Sequence, residues 1–297
     1  MYEIDFHADD YAASLENSKR ILVLLRAGRI DSLSVMTNMG CYAECMGVLR
    51  QEWDQFPRKP LLSVHINLID GFWLSSLPQK QIIHNSWGKI FLHNFLPGRK
   101  KIIADYSREM EAQILAFLRE TDEIKDADGN PLALRIDSHV HTHMIPLVFE
   151  ALMLTLDRMN LGGRVRFIRC SAEPLSMFLS TPGIPRSLSP VNLLKNRVLH
   201  ALSHSVRRKL QRAGIPTGEV FGVAMTGEMD LRRVSLLLPR MQKYAQGKAA
   251  YLEVLSHPGH CLSSEITAEY GPDDRKAFLA PQRDVEFDML MNLPRYE

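Results

Sequence analysis

Segments that read as strands alternate with segments that read as helices along the whole chain, from "YEIDFHA" to "AAYLEVLSH". This rhythm limits the fold more than any other feature, because strands joined through helices pair in parallel and leave their faces for the helices to cover. "YEIDFHA" reads as the first strand, and Ser14 as the cap of a helix through "LENSKRILVLLRAG" that Gly28 stops as a C′ glycine. "DSLSVMTN", "LLSVHINLI", "LALRIDSHVHTH", "RVRFIRC", "EVFGVAM" and "AAYLEVLSH" bring the strands to about seven. No Pro-, Gly- or Ser-rich linker divides the 297 residues. The expectation is an α/β fold, an irregular (β/α) TIM-like barrel, as a single domain over residues 1–297.

One segment breaks the rhythm. Residues 182–216 contain "SPVNLLKNRVLHALSHSVRRKLQRAG", which is basic and has no acid. It reads as a helical insertion in which Leu194, Val198, Leu202, Val206 and Leu210 recur at every fourth position. Packing as a lid with solvated arginines is the favoured reading; contact with anionic headgroups or an anionic substrate is the alternative.

The stretch "RIDSHVHTHMIP", residues 135–146, places three of the chain's 11 histidines at alternate positions. On a strand His139, His141 and His143 would share one face with Asp137. A half-buried strand would carry apolar residues there, so that face is solvated or part of a site. Asp9 and Asp10 end the first strand, His65 and Asn67 lie on the polar face of "LLSVHINLI", and His257 ends the last strand in "LSHPGH". In a parallel barrel the C-terminal strand ends meet at one rim. Two histidines and an aspartate are a suitable set for a divalent ion with open positions, and an adjacent carboxylate suits a general base. On an extended strand positions 139 and 143 would be about 13 Å apart, too far for one ion with bonds of about 2.1 Å to reach both. One of the three is then a ligand, and the others orient it, line the pocket or touch substrate.

Thirty-six basic and 34 acidic residues leave a formal charge of +2, which gives no reason to expect nucleic-acid binding. Cys41, Cys45, Cys170 and Cys261 are scattered and read as reduced thiols. "MYEIDFHADD" lacks the basic start and apolar run of a signal peptide, and a cytoplasmic location is expected. A membrane-surface contact is not favoured, and a homodimer stays open.

Taken together, these motifs resemble those of the YdjC-like carbohydrate deacetylases. "HADDYA" is similar to the family's opening segment, "LLSVHINLIDG" to its G-x-H-x-x-L-T segment, "IDSHVHTHMIP" to D-S-H-x-H-x-H-x-x-P, and "LEVLSHPGH" to E-x-x-x-H-P-G, in family order over residues 5–260. His7, Ala12 and Ser63 depart from the family pattern. The resemblance implies hydrolysis of the N-acetyl group of an amino sugar by water activated on a divalent metal, Mg or Zn. Carried over by position, it makes Asp10, His65 and His139 the ligands, Asp9 the general base, His257 the general acid or a transition-state stabiliser, and Arg169 a substrate contact or an outer group. It leaves His141, His143 and Asn67 as pocket or outer groups. The basic segment is more similar to the hopanoid-associated branch than to the chitooligosaccharide branch, so both a chitooligosaccharide-like and a lipid-linked sugar are implied. The alternatives are a metallo-phosphoesterase on the same barrel and a non-catalytic sugar-binding protein.

Overall fold

The computed structural model describes residues 4–294 except Leu77, Lys80, Arg186, Ser187 and Ala249. Seven parallel strands appear: β1 (Ile4–Tyr11), β2 (Ser32–Val35), β3 (Leu61–Ile66), β4 (Leu134–Ser138), β5 (Val165–Ile168), β6 (Glu219–Phe221) and β7 (Leu252–Ser256). They form one curled sheet in the order β5-β4-β3-β2-β1-β7-β6. The barrel expected from the sequence is therefore an open half-barrel. β5 and β6 are its edges, and no ladder joins them among the described residues; the Ile168 N–H donates to the Pro216 carbonyl at 3.1 Å across the gap.

Alternation along the strands sorts the two faces. Phe6, Leu33, Val35, Leu62, Val64, Ile136 and Val254 belong to the buried apolar core shared with the helices. Asp5, His7, Asp9, Ser32, Ser34, Ser63, His65, Arg135, Asp137 and Glu253 occupy the intervening positions and are buried as well. A closed barrel usually fills its interior with branched apolar side chains. Here the enclosed space holds ion pairs and hydroxyls, and the neighbouring strands place His65 opposite Asp137.

The helices are α1 (Leu15–Arg26), α2 (Tyr42–Glu52), α3 (Trp87–Leu92), α4 (Arg99–Thr121), α5 (Pro146–Arg158), α6 (Leu175–Leu179), α7 (Pro190–Arg212), α8 (Leu231–Gly247), α9 (Pro272–Phe278) and α10 (Gln282–Asn292). Ser14 caps α1 by accepting the Asn17 N–H at 3.1 Å. Gly28 follows with φ +60°, as the C′ position requires. Pro146 opens α5, and the chain breaks between α9 and α10 next to Pro281. No helix among the described residues is long and apolar enough to cross a membrane.

The basic insertion is the helix α7, but its buried stripe differs from the expected one. Asn196, Leu199, Ser203, Val206 and Leu210 face inward, while Leu194 is 67% exposed. An α-helix turns about 100° per residue, so a stripe at every fourth position walks about 40° round the helix at each step. Alternating steps of three and four hold one face. The last two members of the expected stripe, Val206 and Leu210, meet the core, whereas the first, Leu194, does not.

Candidate active site

Two adjacent strand residues should point to opposite faces. Asp9 and Asp10 nevertheless line the same cavity, because β1 loses its register between Ala8 and Tyr11 and Asp10 takes φ +68°. Aspartate tolerates this left-handed backbone better than most residues.

A second irregularity sets the histidines. β4 ends at Ser138, and residues 139–144 form a tight turn with φ +44° at Val140 and +58° at His141. Ser138 Oγ fixes the turn by accepting the His143 N–H at 2.9 Å. The three histidines therefore do not share one strand face, and each goes elsewhere. His139 enters the cluster with Asp10, and His141 lies 2.9 Å from Ser171 Oγ through Nδ1 on the cavity wall. His143 is held by Ser138 Oγ at 2.6 Å and by the Arg169 carbonyl at 2.8 Å. Only His139 reaches Asp10 and His65, but the reason is this turn and not extended spacing.

Asp10, His65 and His139 bring three potential ligand atoms together. Asp10 Oδ1 lies 3.0 Å from His139 Nδ1 and 3.4 Å from His65 Nε2. Two ligand atoms each about 2.1 Å from one ion stand about 3.0–3.4 Å apart at octahedral or tetrahedral angles, so the set fits a single metal. Each ligand is also oriented by a partner of its own. His65 Nδ1 pairs with Asp137 Oδ1 at 2.6 Å, His139 Nε2 with Asp274 Oδ2 at 2.7 Å, and Arg283 Nη2 holds Asp10 Oδ2 at 2.6 Å. His65 Nε2 is buried without a hydrogen bond, so its lone pair could serve a metal ion.

Asp9 stands beside this cluster. Arg169 donates to both its oxygens at 2.8 and 2.9 Å, and His7 Nε2 lies 3.1 Å from Oδ1. Arg169 is fully buried and also meets Asp137 at 3.0 Å and Glu253 at shorter range, which leaves no face for substrate. Of the two places expected for Arg169, substrate contact or outer group, its burial and its bonds to Asp9 fit the outer group. Asn67 is likewise not in the cavity. Its Oδ1 accepts the N–H groups of Ile69 and Asp70 at 3.0 and 3.2 Å and shapes the turn after β3. His257 is on the cavity wall, with Nε2 3.9 Å from Asp9 Oδ2. Glu286 Oε2 accepts the His257 backbone N–H at 2.5 Å and lies 3.6 Å from its Nδ1.

Asp274, Arg283, Glu286 and Lys195 are site residues that the sequence reading missed. Asp274 sits in the first turn of α9 in "GPDDRK" and reads as a capping acid. Arg283 and Glu286 belong to a helix whose sequence shows only solvated charge. Two further carboxylate–histidine groups, Asp5/His7/Glu253 and His7/Asp9/Asp137, meet the spacing of a metal site. Their carboxylates already bind the Arg135 and Arg169 guanidinium groups.

Burial would raise the Asp9 and Asp10 carboxyls, but Arg169 beside Asp9 and Arg283 beside Asp10 outweigh it and hold both well below the usual range. Burial opposes charge on His65, yet Asp9 and Asp137 push its pKa up to about 9. His139 is raised in the same way by Asp274 and Asp10. Burial, then the charges of Lys195 and Arg169, keep His141 well below 6.5. A metal bound here would displace protons from His65 and His139, so its affinity should rise with pH, by up to about tenfold per unit below about pH 9 from His65 and further from His139. Without metal the sign reverses. The raised His65 pKa stabilises the fold fully below its unfolded value near 6.5 and is lost as pH rises through about 9. Calorimetric metal titrations in buffers of different ionisation enthalpy count the released protons; release of none would refute this charge state.

A model of the YdjC-like proteins matches residues 3–293 of the chain. No curated protein matches significantly. Among solved structures, a protein from Enterococcus faecalis V583, provisionally described as a cellobiose-phosphate cleavage protein, aligns over 97% of this chain and 90% of its own with a TM-score of 0.61. The two are 13% identical, so this likeness concerns the fold.

Proposed function

Because the chain belongs to the YdjC-like family, we propose that it is a metal-dependent hydrolase that removes the acetyl group from an N-acetylated amino sugar. The observation that carries this reading is the cluster of Asp10, His65 and His139, in which Arg283, Asp137 and Asp274 each fix one ligand and His65 Nε2 is left bare. Two imidazoles and a carboxylate suit zinc or another first-row ion better than magnesium, which prefers oxygen. Bound there, such an ion would polarise the acyl carbonyl and acidify water.

The rest is work for the chain's own residues. Asp9, held ionised by Arg169, takes a proton from the attacking water at the oxygen that faces His257. The water oxygen bonds to the acyl carbon, the C–N bond breaks, and His257, as the general acid, delivers a proton from Nε2 to the leaving amine. Glu286 sets the position of His257 through its backbone N–H. Arg135 and Arg169 occupy the other carboxylate groups, which supports one metal rather than the pair a phosphoesterase commonly uses. The carbohydrate named in the description of the fold neighbour supports a sugar substrate.

The test is acetate release from a panel of N-acetylated sugars, including chitooligosaccharides and lipid-linked forms, by chelator-stripped protein before and after zinc is restored. Zinc-dependent release is expected. Protein that binds zinc tightly yet frees acetate from no member would overturn the reading.

A further inference from the structure

The inserted helix α7 brings a cation into the candidate site that no step above uses. Lys195 lines the cavity together with Asp9, Asp10, His141 and Asp274. Its placement is built rather than incidental. Asn192 Nδ2 donates to the Thr226 carbonyl at 3.1 Å, and one turn later Asn196 Nδ2 donates to Glu173 Oε2 at 3.2 Å. Glu173 is itself buried and accepts the N–H groups of Val223 and Ala224 at 3.1 and 2.6 Å, which ties α7 to the segment after β6. Lys195 sits between these two anchors. Lys195 also borders a second, apolar groove with Trp87, Val140, Leu194 and Val198, so it stands between a polar and an apolar cavity.

The guanidinium groups nearby are committed: Arg169, behind the cavity, to Asp9, and Arg283, on its wall, to Asp10. Lys195 makes no hydrogen bond or ion pair with any described residue. Burial lowers its pKa, with Asp9 and Glu173 acting the other way. Lys195 is half-buried, and its ammonium has three donors and no protein acceptor among the described residues, so a sugar oxygen could take the place of water on it. The cluster around Asp10 is where the acyl group is placed by the function proposed above, and Lys195 lines the same cavity from α7. We propose that Lys195 is a substrate-binding residue whose ammonium donates to a sugar oxygen beside the acylamino group, making the insertion a wall of the active site rather than a detachable lid. This rests on the hydrolase reading.

Lys195→Met and Lys195→Arg are to be compared with the wild type at equal zinc content on the best sugar of the acetate-release panel. A hydrogen bond to a charged group is worth about 10–100-fold, so Lys195→Met should raise KM by that factor with kcat within about threefold, and Lys195→Arg should recover part of the loss. A fall in kcat at unchanged KM, or no change in either constant, would overturn the proposal. Binding is read separately, without turnover, on zinc-loaded protein carrying Asp9→Asn and reductively 13C-methylated lysines. The signal missing in the added Lys195→Arg variant identifies Lys195, and it should shift when N,N′-diacetylchitobiose or another panel sugar is added. If the wild type frees no acetate but this signal shifts, the hydrolase reading fails and the contact stands. If acetate is freed and the signal stays fixed, the contact fails alone.

Discussion

His65→Ala protein should retain no divalent metal after dialysis, and Asp10→Ala and His139→Ala should behave alike. An apparent binding energy of about 10–16 kcal/mol shared among the ligands of a zinc site makes the loss of one worth on the order of 100–1,000-fold or more in affinity. Asp137→Asn and Asp274→Asn remove only the partner of a ligand histidine, so each should cost about 10–100-fold. The order of the two groups is the test. Metal content by atomic absorption and affinity by chelator competition measure it. A His65→Ala variant that binds zinc as tightly as the wild type would remove the cluster from consideration.

Asp9→Asn separates chemistry from metal binding. Asp9 is bound by Arg169 and His7 and lies outside the three-residue cluster, so the variant should keep its metal. It loses the proton acceptor, and turnover should fall by about 100–10,000-fold. Arg169 would keep Asp137 and Glu253 as partners, so the fold should survive with a lower Tm. Acetate release, metal content and thermal unfolding on one preparation decide the matter. A variant that is fully active, or metal-free while folded, contradicts the division of roles.

Much of this was legible in the chain because its signals are local. The alternation of strands and helices, the caps at Ser14 and Gly28 and the start of α5 at Pro146 depend on residues within a turn or two. The polar residues at the strand ends were visible for the same reason, since in "LLSVHI" and "LRIDS" polar residues hold the alternate positions of a period of two. Where a local period was extrapolated, it failed. The histidine strand stopped at Ser138, and the stripe on α7 rotated away from Leu194.

Which residue types gather at the carboxyl ends of the strands follows from the chain alone, because connectivity and side-chain alternation are properties of neighbours. Tertiary structure alone decided which of them meet. The positive φ of Asp10 turns it into the same cavity as Asp9, and the left-handed pair Val140 and His141 sends three histidines to three places. Asp274 and Arg283 reach their partners from 135 and 273 residues away along the chain. No local pattern records such contacts. Their residues look like solvated helix charges until the fold buries them, and burial in a low-dielectric interior is what turns a carboxylate or guanidinium into a partner that fixes a ligand.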